Sequence, residues 1–225
     1  LDEAIAHAAR LIHNSRSPLF FGLSRSSTDG QRAVCELADH IGATIDTTAS
    51  IGHGPSILAL QNAGESTSTL GEVRHRSDLV IYWASDPLTT HPRHIERIVN
   101  APGMAVPNGR ADRHVVVVDS TPTATSKIAD TFLQIEKGSD FDVLWALRAL
   151  VKGSPISVDH VGGVPIETLR ELAHRMKVSH YGAVFFGVSL TDSLNGHVNV
   201  EALLRLVTDL NMFTRFVARR MRVPG

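Results

Sequence analysis

Apolar positions along the chain recur in two rhythms, and the alternation between them predicts the fold. "DEAIAHAARLIHNS" places Ile5, Ala8, Ala9 and Ile12 three and four residues apart, which predicts a helix. "PLFFGL" follows as a short continuous apolar run, the pattern of a buried strand. "TDGQRAVCELADHIGA" returns to helical spacing with Val34, Leu37, Ala38 and Ile41 on one face, Thr28 or Asp29 as N-cap and Gly42 as the stop. A short apolar stretch at Ala43 to Ile45 leads into "SIGHGPS", "PSILALQNAG" reads as helical, and "DLVIYWAS" and "HVVVVD" are again runs of buried-strand type. Further helices are expected from about His91 and from Asp140, while Asn100 to Arg113, with Pro102, Gly103, Pro107 and Gly109, reads as a surface loop. Helices and strands of these lengths in alternation predict an α/β fold with mainly parallel sheets in Rossmann-like lobes.

One unit echoes. "SPLFFGLS" at Ser17 to Ser24 returns as "YGAVFFGVS" at Tyr181 to Ser189, each after an amphipathic helical segment. The echo predicts two related α/β lobes, one over 1–151 and a second beginning at 152 and cut off at 225. The start at Leu1 and the finish in "RRMRVPG" read as a piece of a longer polypeptide.

Composition narrows the class. With 22 basic and 23 acidic residues and no basic stripe, nucleic acid is not an expected partner. No apolar run reaches the roughly 18 residues that span a bilayer, so no membrane role is expected. The single cysteine, Cys35, makes no internal disulfide and no thiolate pair for a metal, which fits a cytoplasmic setting. Its place on a helix predicts a packed, structural side chain.

In parallel α/β sheets ligands bind at the carboxyl ends of strands, so the residues there are the candidates. They are Gly22 and Ser24 after "LFF", the Ser50 to Ser56 turn with Gly52 and His53, Ser85, Asp86 and Pro87 after "DLVIYWA", and Asp119, Ser120 and Thr121 after "VVVV". Small and hydroxyl residues let backbone N–H groups approach a phosphate, and a strand-end carboxylate accepts from ribose hydroxyls. The set predicts a nucleotide-type groove, although the same residue types also end strands for turn reasons. His91 and His94 in "HPRH" lack nearby partners at metal-ligand spacing. No Gly-x-Ser-x-Gly elbow occurs. Trp83, Trp145 and the Phe-Phe pairs sit in apolar runs and read as core, and Arg74, His75 and Arg76 read as a solvated helix end.

The run "HVVVVDSTPTATSKIADTFLQIEKGSDFDVLWALRALV" resembles the core segment of the molybdopterin oxidoreductases, which carry a bis(pterin guanine dinucleotide) metal. More narrowly, "DTTASIGHGPSILALQNAGESTSTLGEVRHRSDLVIYWASDPLTTHPRH" is similar to the B-type subunit of formylmethanofuran dehydrogenases, including "TLGEV", "SDP" and "HPRH". The resemblance implies the formate dehydrogenase-like fold, a strand-end Asp119 facing a guanine nucleotide, and a "GSD" turn opening a helix. Active members carry Cys-His-Gly-Pro where this chain has Gly52-His53-Gly54-Pro55. Glycine supplies no soft thiolate for tungsten or molybdenum, and only His53 keeps its place as a residue beside the metal. "DST" replaces an Asp-Pro-Arg type of start, losing a guanidinium suited to phosphate. The resemblance therefore implies a non-redox B-type subunit like that of the bacterial formyltransferase/hydrolase complex, expected to carry no cofactor. Its partners would be an amidohydrolase-like A-type subunit, a C-type subunit and a formyltransferase of D type. The alternative is an active tungsten or molybdenum formylmethanofuran dehydrogenase subunit holding the pterin cofactor, with His53 catalytic.

Overall fold

The computed structural model describes residues 1–47, 50, 53–192 and 195–221, which fall into two compact units. One runs from Leu1 to Gly54 and the other starts at Pro55 and takes in the rest of the described chain. The division expected at 151/152 is therefore corrected. Strands from beyond residue 151 hydrogen-bond directly onto strands from before it, so one sheet crosses that boundary.

The first unit holds helices α1 (Asp2–Asn14) and α2 (Thr28–Ile41) and strands β1 (Leu19–Gly22) and β2 (Thr44–Thr47), paired in parallel from Leu19 opposite Thr44 to Gly22 opposite Thr47. The cap of α2 is Ser27, one residue before the expected Thr28, because its hydroxyl accepts the Gly30 N–H at 3.1 Å. Gly42 ends the helix in left-handed conformation, as the sequence predicts. Within α2 the buried position is Ala38, and Cys35 is exposed, not packed as expected: it lies off the stripe that Val34, Ala38 and Ile41 form.

The second unit is built on a five-stranded parallel sheet in the order β5 (Thr131–Gln134), β4 (His114–Asp119), β3 (Leu79–Trp83), β8 (Tyr181–Phe186), β9 (Arg215–Arg220). Its three interior strands, β4, β3 and β8, read as largely apolar runs because both faces are covered. On β3, Leu79, Ile81 and Trp83 enter one core while Val80 and Tyr82 enter the other, and β4 and β8 alternate likewise. The larger core is completed by helices α3 (Gly54–Ala63), α5 (Asp140–Val151), α6 (Ile166–Val178) and α7 (Gly196–Leu210). The smaller core takes Val73 of α4 (Leu70–Arg76) and Ile95 and Val99 of a π-helical turn, Ile95–Val99, which stands where a helix from His91 was expected. Thr69 caps α4 by accepting the Glu72 N–H at 3.1 Å, and Arg74, His75 and Arg76 form its last turn, complementing the negative end of the helix dipole. A small antiparallel pair, β6 (His160–Val161) and β7 (Val164–Pro165), precedes α6.

Two findings correct the sequence reading. The echoed strands are not equivalent. β1 lies in a two-stranded sheet after a helix with no buried residue, whereas β8 is an interior strand of a five-stranded one. Their glycines also do different work: Gly22 sits at φ 103°, open to glycine alone, while Gly187 is held because a Cβ there would meet the Ala84 carbonyl oxygen at 2.0 Å. The stretch 100–113 is not all surface. Val106 and Arg113 are buried, and the Arg113 guanidinium donates to the carbonyls of Arg74, Ser77, Val99 and Ala101, tying the loop to α4 and to the π-helical turn.

Candidate functional site

The sheet order reverses between β3 and β8, since β3, β4 and β5 run outward on one side and β8 and β9 on the other. A groove opens at the carboxyl ends of the strands at that switch point, as parallel-sheet topology predicts. Its volume is about 820 Å³, and its wall combines Ala84 after β3, Asp119, Ser120 and Thr121 after β4, and Lys137, Gly138, Asp140 and Phe141 at the start of α5. Ser189, Asp192 and Asn195 from the segment between β8 and α7, and Asn199 in the first turn of α7, complete it.

Local chemistry fixes each group. Asp119 Oδ1 accepts the Thr121 N–H at 3.2 Å, an Asx turn that folds the chain over the end of β4. Trp83, almost wholly buried, donates its indole N–H to Asp140 Oδ1 at 2.8 Å. Burial raises the Asp140 carboxyl above its ordinary value, the Trp83 bond opposes the rise, and the negative charge of Asp119 adds to it. Asn199 donates to the Leu190 carbonyl at 3.2 Å, which holds the loop after β8 against α7. Three carboxylates and one lysine make the groove rich in acceptors. That suits the ring N–H and amino groups of a purine and the hydroxyls of a ribose better than a bare polyphosphate.

Of the sequence candidates, the structure brings Asp119 and Thr121 together in this groove. Ser85, Asp86 and Pro87 do not line it. Asp86 Oδ1 accepts the Thr125 N–H at 2.9 Å and the Thr125 hydroxyl, and Oδ2 accepts the Thr89 hydroxyl at 2.6 Å. Desolvation works against its charge, yet these bonds prevail and its carboxyl is lowered. Ser85 and Pro87 are buried beside it. Gly22 and the exposed Ser24 belong to the first unit, as does His53, a half-buried turn residue. Gly52 lies outside the described residues. The Ser50 hydroxyl is engaged by Asp46. Sequence reasoning missed Lys137, Phe141, Ser189, Asp192, Asn195 and Asn199. "KGSDF" carried a signal for the first two, as a turn opening a helix, whereas the others reach the groove only because β8 lies next to β3.

A bis(pterin guanine dinucleotide) metal is the group this type of fold implies. The acceptor-rich wall is of a kind that would suit the nucleotide end of such a group, and Asp119, Asp140 and Asn195 are the residues that would hold it. The donor set does not fit the metal: position 52 is glycine, and the sole cysteine, Cys35, is exposed on α2. Among the described residues no three His, Cys, Asp or Glu side chains converge as metal ligands, and no helix is long and apolar enough to cross a membrane.

Comparison with known proteins places this geometry. No family model matches the chain. It is 40% identical over 222 residues, 98% of its length, to the B-type subunit of the tungsten-containing formylmethanofuran dehydrogenase 2 of Methanocaldococcus jannaschii, of which it covers 51%. It is 27% identical over its whole length to the B-type subunit of the formyltransferase/hydrolase complex Fhc of Methylorubrum extorquens, covering 57% of that subunit. The crystal structure of that complex, FhcABCD with methylofuran, superimposes on 99% of the chain and 58% of its own with a TM-score of 0.76 at 25% identity. Acetylene hydratase from Pelobacter acetylenicus shares the fold at a TM-score of 0.66 over 94% of the chain and 32% of the hydratase, with 12% identity. The fold, with its groove at the switch point, is thus that of the molybdopterin oxidoreductase architecture. Within it, the chain is homologous over 98% of its length to curated formylmethanofuran dehydrogenase B-type subunits, and it spans about half the length of the curated relatives it matches.

Proposed function

We propose that the protein containing this chain is a non-redox structural subunit of a formyltransferase/hydrolase complex in one-carbon metabolism. Its nucleotide-type groove is retained while the metal-binding turn has lost its ligand. The observation that carries the reading is Gly52, which offers no side-chain donor atom in a sequence motif that otherwise keeps His-Gly-Pro. Its partners are then an amidohydrolase-like subunit, a formyltransferase subunit and a third, C-type subunit. The formyl chemistry falls to the first two, and this chain holds them together in a cytoplasmic assembly without a metal. The likeness to the Methylorubrum complex supports the partners.

A second reading is favoured by a different observation, the higher identity to the tungsten-containing relative, 40% against 27%. There the protein is an active tungsten or molybdenum pterin-dependent subunit in which His53 stands beside the metal and an exogenous ligand replaces the missing side chain. Expression of the full complex in a host unable to make the pterin cofactor separates the two. The structural reading expects assembly and formate release from the formylated carrier to persist. Loss of both, restored only when the cofactor pathway is supplied, would support the second reading and overturn the first.

A further inference from the structure

A second cavity, of about 510 Å³, opens in the sheet-based unit away from the Asp119 groove. Arg219, Arg220 and Met221 at the end of β9 and Phe185 of β8 form one side of it. His91, His94, Glu65, Thr67 and Leu70 form the rest.

The charges do not cancel. Arg220 is paired with Glu65 at 3.4 Å. Arg219 has no carboxylate partner among the described residues; its guanidinium donates to the Ser68 carbonyl, which fixes the fork and leaves its other N–H groups without an acceptor among those residues. His94 is 8% exposed, packed edge-on against Phe185 with ring centroids 4.8 Å apart, and its Nε2 has no hydrogen-bond partner among the described residues. Desolvation, with the nearby His91 and Arg219, lowers its pKa to about 4, so the imidazole is neutral and adds a polar atom without a charge. A buried polar atom without a partner is uncommon in a native protein and calls for an explanation. The volume is in the range of small-molecule sites, and Leu70, Phe185 and Met221 supply apolar wall around the polar groups.

We propose that this cavity binds a small organic carboxylate with an apolar body. Its carboxylate is taken by the Arg219 fork, and its body lies against Phe185, Leu70 and Met221. A single uncompensated guanidinium matches a monoanion in charge and a carboxylate in shape, whereas a phosphate dianion would leave a buried negative charge unanswered. The site uses none of the groove residues and does not depend on what occupies position 52.

The test is calorimetric titration of the full-length protein with benzoate, and in a parallel arm with inorganic phosphate. Saturable benzoate binding is expected, weakened about tenfold or more in Arg219→Ala, the loss typical of a charge-assisted pair. Arg219→Lys, which keeps the charge and a donor for Ser68 but not the fork, should weaken it less. His94→Gln should weaken it severalfold, and Arg170→Gln, on the exposed face of α6, should leave it unchanged. Absence of saturable benzoate binding would overturn the proposal, as would binding unaffected by both Arg219 variants, or phosphate bound more tightly than benzoate. If Arg219→Ala does not fold, Arg219→Lys alone decides.

Discussion

Replacing Asp140 separates two roles that the structure assigns to one side chain. Its Oδ1 accepts the indole N–H of Trp83 at 2.8 Å, and its carboxylate is part of the acceptor-rich groove. Asp140→Ala removes the acceptor and leaves a donor stranded in the larger core, since Trp83 is 1% exposed. A buried donor left unpaired costs about 1–3 kcal/mol, so the alanine variant should lose ~2 kcal/mol of unfolding free energy. Asp140→Asn keeps an oxygen acceptor and removes the charge. The Asp140 carboxyl is raised in the folded protein, so the stability tied to its protonated form is full below the ordinary aspartate range. That stability is lost as pH climbs through the raised value. Wild type should therefore match the asparagine variant below the ordinary aspartate range and lie at or below it at neutral pH. The expected order at neutral pH is Asn at or above Asp, and Asp above Ala. Urea unfolding followed by tryptophan fluorescence, at several pH values, reads both effects. Equal stability of the alanine and asparagine variants would refute the assigned role of the Trp83 bond, and a wild type that gains stability relative to the asparagine variant on moving from acid to neutral pH would refute the assigned charge penalty.

Two further outcomes follow from the same geometry. Arg113→Ala strips the donor shared by four backbone carbonyls and should cost ~4 kcal/mol, measurable by chemical unfolding, with Arg113→Lys intermediate; a loss below about 1 kcal/mol would mean that these bonds are replaced by water. Asp86 is lowered in the folded state, so its contribution is present above the ordinary aspartate value and lost as pH falls through the lowered one; Asp86→Asn should flatten the acid limb of the stability profile, and an unchanged limb would show that the Thr125 and Thr89 bonds do not hold the charge.

Much of the sheet was legible because its strands are buried on both faces. "DLVIYWAS" and "HVVVVD" have no polar alternation to misread, and the residues that end β4 announced the groove through Asp119 and Thr121. The order of the strands was not legible. Adjacency of β3 and β8 depends on contacts between residues about a hundred positions apart, and it alone brings Asp192, Asn195 and Asn199 to the groove. Asp86 looked like a ligand-facing carboxylate because strand-end aspartates serve binding and turn closure alike; its partners Thr89 and Thr125 assign it to the second. Arg113 was hidden for a similar reason. A charged residue in a stretch rich in Pro and Gly reads as solvated, and only the four carbonyls of distant segments make its burial favourable. The Phe-Phe-Gly echo misled because one apolar pattern serves a strand of a two-stranded sheet and an interior strand of a larger one equally well.

The central claim is that a homologue of these B-type subunits has kept its groove and lost its metal. Tungsten and molybdenum content of the full-length protein, purified with its native partners from a host that makes the pterin cofactor, tests it most directly. The account predicts neither metal above background while the complex still releases formate from the formylated carrier. Near-stoichiometric tungsten or molybdenum would contradict it.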